Sequence, residues 1–259
     1  MISFKSFKDM NTSECLKKLN QEGHYCFENL LNDTELNTLT KLVESKLKEN
    51  NNKYFFLAEN KLNETFINNK EFLSKFENLF RELSINLKIN DFEKQNIYKV
   101  LRVVTGKKNE RESYRYHFDA HLFTLLIPII IPNRKDSNNG DLIIFPNIRK
   151  IGKSLILNIL QKLIFQNRIT KLLLKNNYIF KNKSMLLKLK PGNVYIFYGY
   201  RTLHGNQTIN PNDVRATILL HFYDIFKNSK LVKFNRKLRL RNEGKIIKEN
   251  KKTTLDKVV

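Results

Sequence analysis

Beyond residue 98 the chain breaks into short runs of β-branched and aromatic residues, and this patterning constrains the fold more than any other feature. The runs cover residues 98–104, 122–131, 142–145, 194–198 and 216–223, and each is bounded by Gly, Pro, Asn or Asp. Such residues punctuate strands, because they supply turn geometry or withhold the ladder's donor. Strands in a parallel sheet need a helical crossover between them. Most of these runs follow one another without room for one, so the pattern predicts an antiparallel sandwich or jelly roll.

The flanks read differently. Leu36, Leu39, Leu42, Val43 and Leu47 recur at spacings of three and four, which predicts a helix over 35–48 with Asp33 or Thr34 as its N-cap. A second helical pattern runs through Phe72, Phe76, Leu79, Phe80 and Leu83, and the stretch from Gly23 to Leu31 reads as a short strand and a turn. One long interruption, residues 147–190, contains an amphipathic pattern over 154–168. No Asp or Glu occurs between Leu142 and Asn212. A structureless loop of this length is unusual, so the interruption reads as a helical insertion between two strands. Residues 226–259 are rich in Lys and Arg and read as a basic helix or a partly disordered tail. The expected architecture is therefore mainly β with flanking α, one domain over 1–259. Mainly helical support spans 1–95, the jelly-roll core 96–225 and the basic tail 226–259.

A chain of 259 residues with 41% hydrophobic content can bury one substantial core. It has no apolar run of bilayer-spanning length, and its first residues lack a secretory pattern, so a cytoplasmic protein is expected. On that reading Cys15 and Cys26 are reduced thiols. The formal charge of +22 has two explanations that stand side by side. A basic surface attracts nucleic acid, anionic lipid or anionic substrates. A chain crowded with Lys, Asn, Ile and Phe is equally what AT-biased coding produces.

The chemistry concentrates in His117-Phe118-Asp119. Residues two apart on an extended chain project to one face, so an imidazole and a carboxylate can reach one metal ion. Two His and one carboxylate on one face of an octahedron leave three positions open, the arrangement of non-haem iron(II) oxygenases. His204, followed by Gly205, is the best supplier of the third ligand. An HxD tripeptide alone is weak, since His117 and Asp119 could equally be a strand end and a solvated turn. Arg215 strengthens the case. An arginine opening an apolar strand needs a partner for its charge, and the distal carboxylate of 2-oxoglutarate would supply one in a bidentate fork. Thr217 shares the face of Arg215 and could donate a hydroxyl to the same carboxylate, with an internal Arg215–Asp213 ion pair as the plainer alternative. Arg102 could face cosubstrate or substrate. His121 could line the site, whereas His221 and His24 read as structural, and Tyr195, Phe197 and Tyr198 as core or pocket lining.

At this point the chain resembles the phytanoyl-CoA dioxygenase-like family of Fe(II)/2-oxoglutarate oxygenases. The similar blocks are Gly23 to Leu36, Asn139-Gly-Asp-Leu-Ile-Ile-Phe-Pro-Asn, Leu189-Lys-Pro-Gly-Asn-Val-Tyr-Ile-Phe, Leu203-His-Gly-Asn and Arg215-Ala-Thr, in family order over about residues 20–225. The resemblance implies a double-stranded β-helix (a cupin-like jelly roll) with N-terminal helices. It implies iron held by His117, Asp119 and His204, 2-oxoglutarate at Arg215, and O₂ as oxidant. Two departures bear on the substrate: Pro146 leads into Asn147-Ile-Arg and the basic insertion, and Asn193 follows Gly192 where an acidic residue is commoner. Related halogenases lack the carboxylate, so Asp119 points to hydroxylation or a related oxidation.

The implied substrate is a small, lipid-linked or glycan molecule, anionic or otherwise. Alternatives are a nucleic-acid- or protein-modifying oxygenase and a non-catalytic jelly-roll binding protein. Nucleic acid is disfavoured, because no second arginine follows Arg215 in the demethylase pattern and no aromatic-and-basic platform is evident. The insertion is expected to pack near the barrel mouth, with weak adsorption to an anionic membrane surface as the alternative.

Overall fold

The computed structural model describes residues 12–58, 62, 67, 69–89, 97–105, 113–135, 138–152, 154–165, 167–176 and 183–255. Among the described residues, nine strands form two antiparallel sheets. They are β1 (His24–Phe27), β2 (Phe55–Ala58), β3 (Tyr98–Thr105), β4 (His121–Ile130), β5 (Leu142–Phe145), β6 (Met185–Leu187), β7 (Val194–Phe197), β8 (Leu203–Asn206) and β9 (Val214–Asp224). The larger sheet has the order β1-β7-β4-β9-β3-β2 and the smaller the order β6-β5-β8. This is the predicted jelly roll, a double-stranded β-helix. Between β5 and β6 lie α4 (Leu155–Phe165) and α5 (Arg168–Lys175), while α1 (Thr12–Gln21), α2 (Asp33–Glu49) and α3 (Lys70–Asn86) precede the barrel and α6 (Lys230–Leu255) follows it.

Strand parity sorts the side chains. On β4, Leu125 and Ile127 join Leu101 and Val103 of β3, Ile218 and Leu220 of β9 and Ile196 of β7 in one core, which Leu39, Val43, Phe72, Phe76 and Phe80 of α2 and α3 complete. The opposite face of the large sheet, with Leu126, Tyr195 and Phe197, meets Leu142, Ile144 and Leu187 of the small sheet. The cavity between the sheets is where a jelly roll can hold a ligand. The outer face of the small sheet, with Phe145 and Leu203, packs against Tyr116, Phe118, Phe165 and Leu174.

Several expectations are refined. The N-cap of α2 is Asn32, one residue before Asp33 and two before Thr34, the caps expected. Its side chain accepts from Glu35 N while Glu35 returns a bond to Asn32 N, a capping box worth about 1 kcal/mol. The insertion holds two helices and ends in the short strand β6, so it is not wholly helical. The tail is helical through Leu255, and it docks where the Asn250 amide donates to Tyr54 O at 3.0 Å and Asn51 donates to Asn250 O. Residues 256–259 lie outside the described residues. Both cysteines are free thiols. Among the described residues, no helix is long and apolar enough to cross a membrane.

Candidate metal centre

His117 and His204 are cross-strand partners. His117 N donates to His204 O at 2.9 Å and His204 N donates to His117 O at 3.0 Å. Directly opposite residues in an antiparallel pair share a face, so the reciprocal bonds alone bring two ligands far apart in sequence side by side, with ring centroids 4.3 Å apart. Asp119, two residues along, is on the same side. Tyr116 and Phe118 alternate to the other side and pack in the outer cluster.

His117 Nε2 lies 3.7 Å from Asp119 Oδ1, and His204 Nε2 lies 3.7 Å from Asp119 Oδ2. One ligand atom from each residue can be chosen so that all lie within 4.8 Å of one another. Facial ligands at about 2.1 Å from a metal are about 3 Å apart, so the side chains would need to close by up to about 2 Å. The tautomers are also set. His117 Nδ1 is 2.9 Å from Arg115 O, and His204 Nδ1 is 3.0 Å from Thr202 O. A carbonyl accepts only, so both Nδ1 atoms carry the proton and both Nε2 lone pairs face the centre. Burial, and then neighbouring His204, hold the His117 imidazole well below its ordinary pKa, which keeps that ligand neutral at pH 7. At Asp119 burial works against ionisation, but His204, His221, His117 and the Thr124 hydroxyl together hold the carboxyl below its usual range.

Three residues behind Asp119 carry no part in the expected ligand set. Thr124 Oγ1 donates to Asp119 Oδ2 at 2.5 Å and lies 3.1 Å from His221 Nδ1. His221, expected to be structural, sits directly opposite Thr124 in the β4–β9 pair, 3.6 Å from Asp119 Oδ2. Gly199 O accepts from Asp119 N at 2.9 Å. A Cβ at Gly199 would fall 2.6 Å from Asp119 Oδ2 and closer still to Thr124 Oγ1, so only glycine leaves the carboxylate its place. The sequence carried a signal for two of them. Thr124 and His221 are polar residues inside otherwise apolar strands, and such groups need partners.

Arg215 is 3% exposed, and its Nε has no hydrogen-bond partner. It lines a small cavity with Arg102, Val104, Ser113, Asn206, Gln207 and Ile209. Asn206 is two residues beyond His204 on β8, and the charge of Arg102 reaches His117, so cavity and ligand cluster adjoin. Burial and then Arg102 lower the Arg215 pKa from its ordinary value, although the carboxylate of Asp141 acts the other way, so the site still favours an added anion. Gly140 has φ +74, and a Cβ there would lie 2.5 Å from Arg215 Cδ and 2.7 Å from Ile209 Cγ2. Asp213, the plainer partner for Arg215, is instead bound by Arg134 at 2.6 Å through two nitrogens. Thr217 is buried opposite Arg102 on the same face but does not line the cavity.

The other expected residues lie further out. His121 stacks on His221 at 5.1 Å and on Tyr98 at 5.9 Å. His24 sits on β1 opposite Phe197, and Phe197 meets His204 edge-on at 4.9 Å. Tyr195 donates to Lys188 O at 3.0 Å, and Tyr198 is buried in the helix-side core.

No protein-family model and no curated protein matches this chain. Solved structures do. A prolyl-4-hydroxylase from Pseudomonas putida superposes with a TM-score of 0.52 at 9% identity, over 82% of this chain and 98% of that one. A prolyl 4-hydroxylase from Phytophthora capsici gives a TM-score of 0.56 at 13% identity, over 89% of this chain and 68% of that one. The non-haem α-ketoglutarate-dependent epimerase SnoN of nogalamycin biosynthesis gives 0.50 at 10% identity, over 81% and 80%. At such identities the likeness is one of fold. The phytanoyl-CoA dioxygenase resemblance finds no counterpart among these matches.

Proposed function

We propose that this chain is an iron(II)- and 2-oxoglutarate-dependent oxygenase that hydroxylates an unactivated C–H bond. Substrate, 2-oxoglutarate and O₂ would give hydroxylated substrate, succinate and CO₂. The observation that carries the reading is the convergence of His117, Asp119 and His204 beside a cavity that ends on a buried arginine. The donor set fits the metal, with two imidazoles, one carboxylate and both Nε2 lone pairs turned inward. The orphaned Arg215 Nε fits the cosubstrate, since a buried guanidinium is costly until a carboxylate pairs with it.

Iron with 2-oxoglutarate supplies the activation of O₂ and the oxidising power when bound. The chain's residues do the rest. His117 and His204 would offer their Nε2 lone pairs to the iron, and Asp119, held by Thr124 and Gly199, would add one carboxylate oxygen. Arg215 would pair with the cosubstrate's far carboxylate, with Arg102 beside it in the same cavity and Thr217 on the same strand face outside it. The aromatic walls Phe197 and Tyr195 keep water from the barrel interior.

For the substrate, a small, lipid-linked or glycan molecule remains the first reading. A polypeptide is the second, supported by the similar fold of a Trichoplax adhaerens prolyl hydroxylase bound to a peptide fragment. Anaerobic titration with Fe(II) and 2-oxoglutarate tests the class. The chelate's visible absorption should appear in the wild type, vanish in His204→Ala and weaken in Arg215→Leu. Iron binding without any change on adding 2-oxoglutarate would overturn the assignment. Succinate formation separates an enzyme from a binding protein of the same fold.

A further inference from the structure

The insertion between β5 and β6 wears its amphipathicity inside out. Against the barrel, Asn158 and Gln161 of α4 accept from Arg149 Nη1, each at 2.9 Å. Phe165 meets Phe118 edge-on at 5.4 Å, and Leu174 of α5 closes the outer cluster. The solvent side is apolar. Ile156 is 74% exposed, Leu163 66% and Ile169 72%, and Leu157, Leu160, Ile164 and Leu172 are each at least half exposed. The expected burial on the barrel is therefore met on one face only. Contiguous apolar residues left on a soluble surface mark an interaction site.

We propose that this face of the α4–α5 hairpin docks on an anionic lipid surface. Charge selects the occupant. Lys162 and Lys171 flank the apolar face half-buried, and Lys175 is exposed at its end, its amine 5.0 Å from the centroid of the Tyr114 ring. Such side chains lay their stems along apolar surface and lift their charge to headgroup level. With no acidic residue between Leu142 and Asn212, nothing in the segment repels a negative membrane. Leu and Ile on one side with Lys alongside is the composition of helices that lie in the bilayer interface. A second copy of this chain would bring the same positive charge against itself. The barrel side of the hairpin, opposite the docking face, reaches the metal centre, because Arg149 also stacks on Phe118 at 4.1 Å and reaches Asp119 O at 3.5 Å. The inference does not rest on the oxygenase reading, since lipid binding is measured without iron or cosubstrate.

The test is co-sedimentation of the full chain, at low salt, with phosphatidylcholine vesicles containing about one-third phosphatidylglycerol, and with phosphatidylcholine alone. Binding is expected to the anionic vesicles only, released by high salt. The exposed-face variant I156S/L160S/L163S should lose binding by more than about tenfold with unchanged melting. K171Q/K175Q should weaken it by about threefold, and it serves as the second readout should the triple variant melt early. No binding to anionic vesicles, or equal binding to neutral ones, would overturn the proposal. So would a triple variant that still binds fully. A dimer that the triple variant dissociates would assign the face to a second copy instead, and release from vesicles by duplex DNA would assign the charge to nucleic acid.

Discussion

Replacing Gly199 with alanine isolates what the barrel does for the carboxylate. The backbone at Gly199 lies outside the left-handed region, so the chain itself accepts alanine and only the site resists. The new Cβ would stand 2.6 Å from Asp119 Oδ2 and 3.0 Å from Asp119 Cβ, where ordinary contact begins near 3.4 Å. The Asp119 N–H bond to Gly199 O at 2.9 Å keeps the two backbones from separating. The carboxylate must therefore rotate, and it leaves the Thr124 hydroxyl behind. A hydrogen bond to a charged group contributes about 1.5–3 kcal/mol, and overpacking costs about 1–3 kcal/mol. Changes to groups that orient a metal ligand lower metal affinity by about 10–100-fold. Anaerobic calorimetry of Fe(II) or Mn(II) binding, paired with thermal melting, reads both terms. Thr124→Val, which removes the bond without the clash, should show only the smaller loss. A Gly199→Ala protein that binds metal with wild-type affinity would refute the role given to Gly199 and Thr124.

Arg215→Leu should weaken 2-oxoglutarate binding by more than about 100-fold while sparing the metal, since a buried charge pair is worth about 3–5 kcal/mol; isothermal titration with each ligand checks it. Arg149→Met should lower stability by about 3 kcal/mol, because it strands the Asn158 and Gln161 acceptors and the Tyr200 carbonyl. Denaturant unfolding measures that loss, and an unchanged midpoint would contradict it. Cys15 should resist thiol reagents at pH 8 until the protein unfolds, because burial and then Glu14 push its pKa up to about 12 and leave almost no thiolate. Mass spectrometry after alkylation reads it directly.

Periodicity exposed much of this molecule in the sequence. Strands β3, β4, β5, β7 and β9 were legible because β-branched runs between turn residues have few other uses. His117 and Asp119 were legible because two-residue spacing forces a common face. Arg215 was legible because a charge in an apolar strand needs a reason. The misses have causes too. Leu203–Asn206 is a strand without β-branched residues, held by β5 rather than by propensity, so it was not among the expected runs, although His204 was among the expected ligands. Asn32, Asp33 and Thr34 are all good caps, and only Glu35 three residues after Asn32 separates them. Gly199 gives no signal, because its role is to leave room for atoms distant in sequence. The insertion's apolar pattern was visible, but a pattern does not say which side faces water, and the buried arginine reversed the usual choice.

The reciprocal bonds between His117 and His204 have a consequence for metal choice. Spacing of the two imidazoles is a property of the sheet and is present before any ion arrives. Chelators should then strip the ion without unfolding the chain, unlike small domains that exist only when metallated. A cage whose aperture is set by main-chain pairing also has little power to reject ions of similar radius. Zinc, manganese, cobalt and iron would all find the same lone pairs, with affinities following their intrinsic order. Which ion occupies the site in a cell would be decided by supply, and the wrong occupant would silence the protein without disturbing its shape.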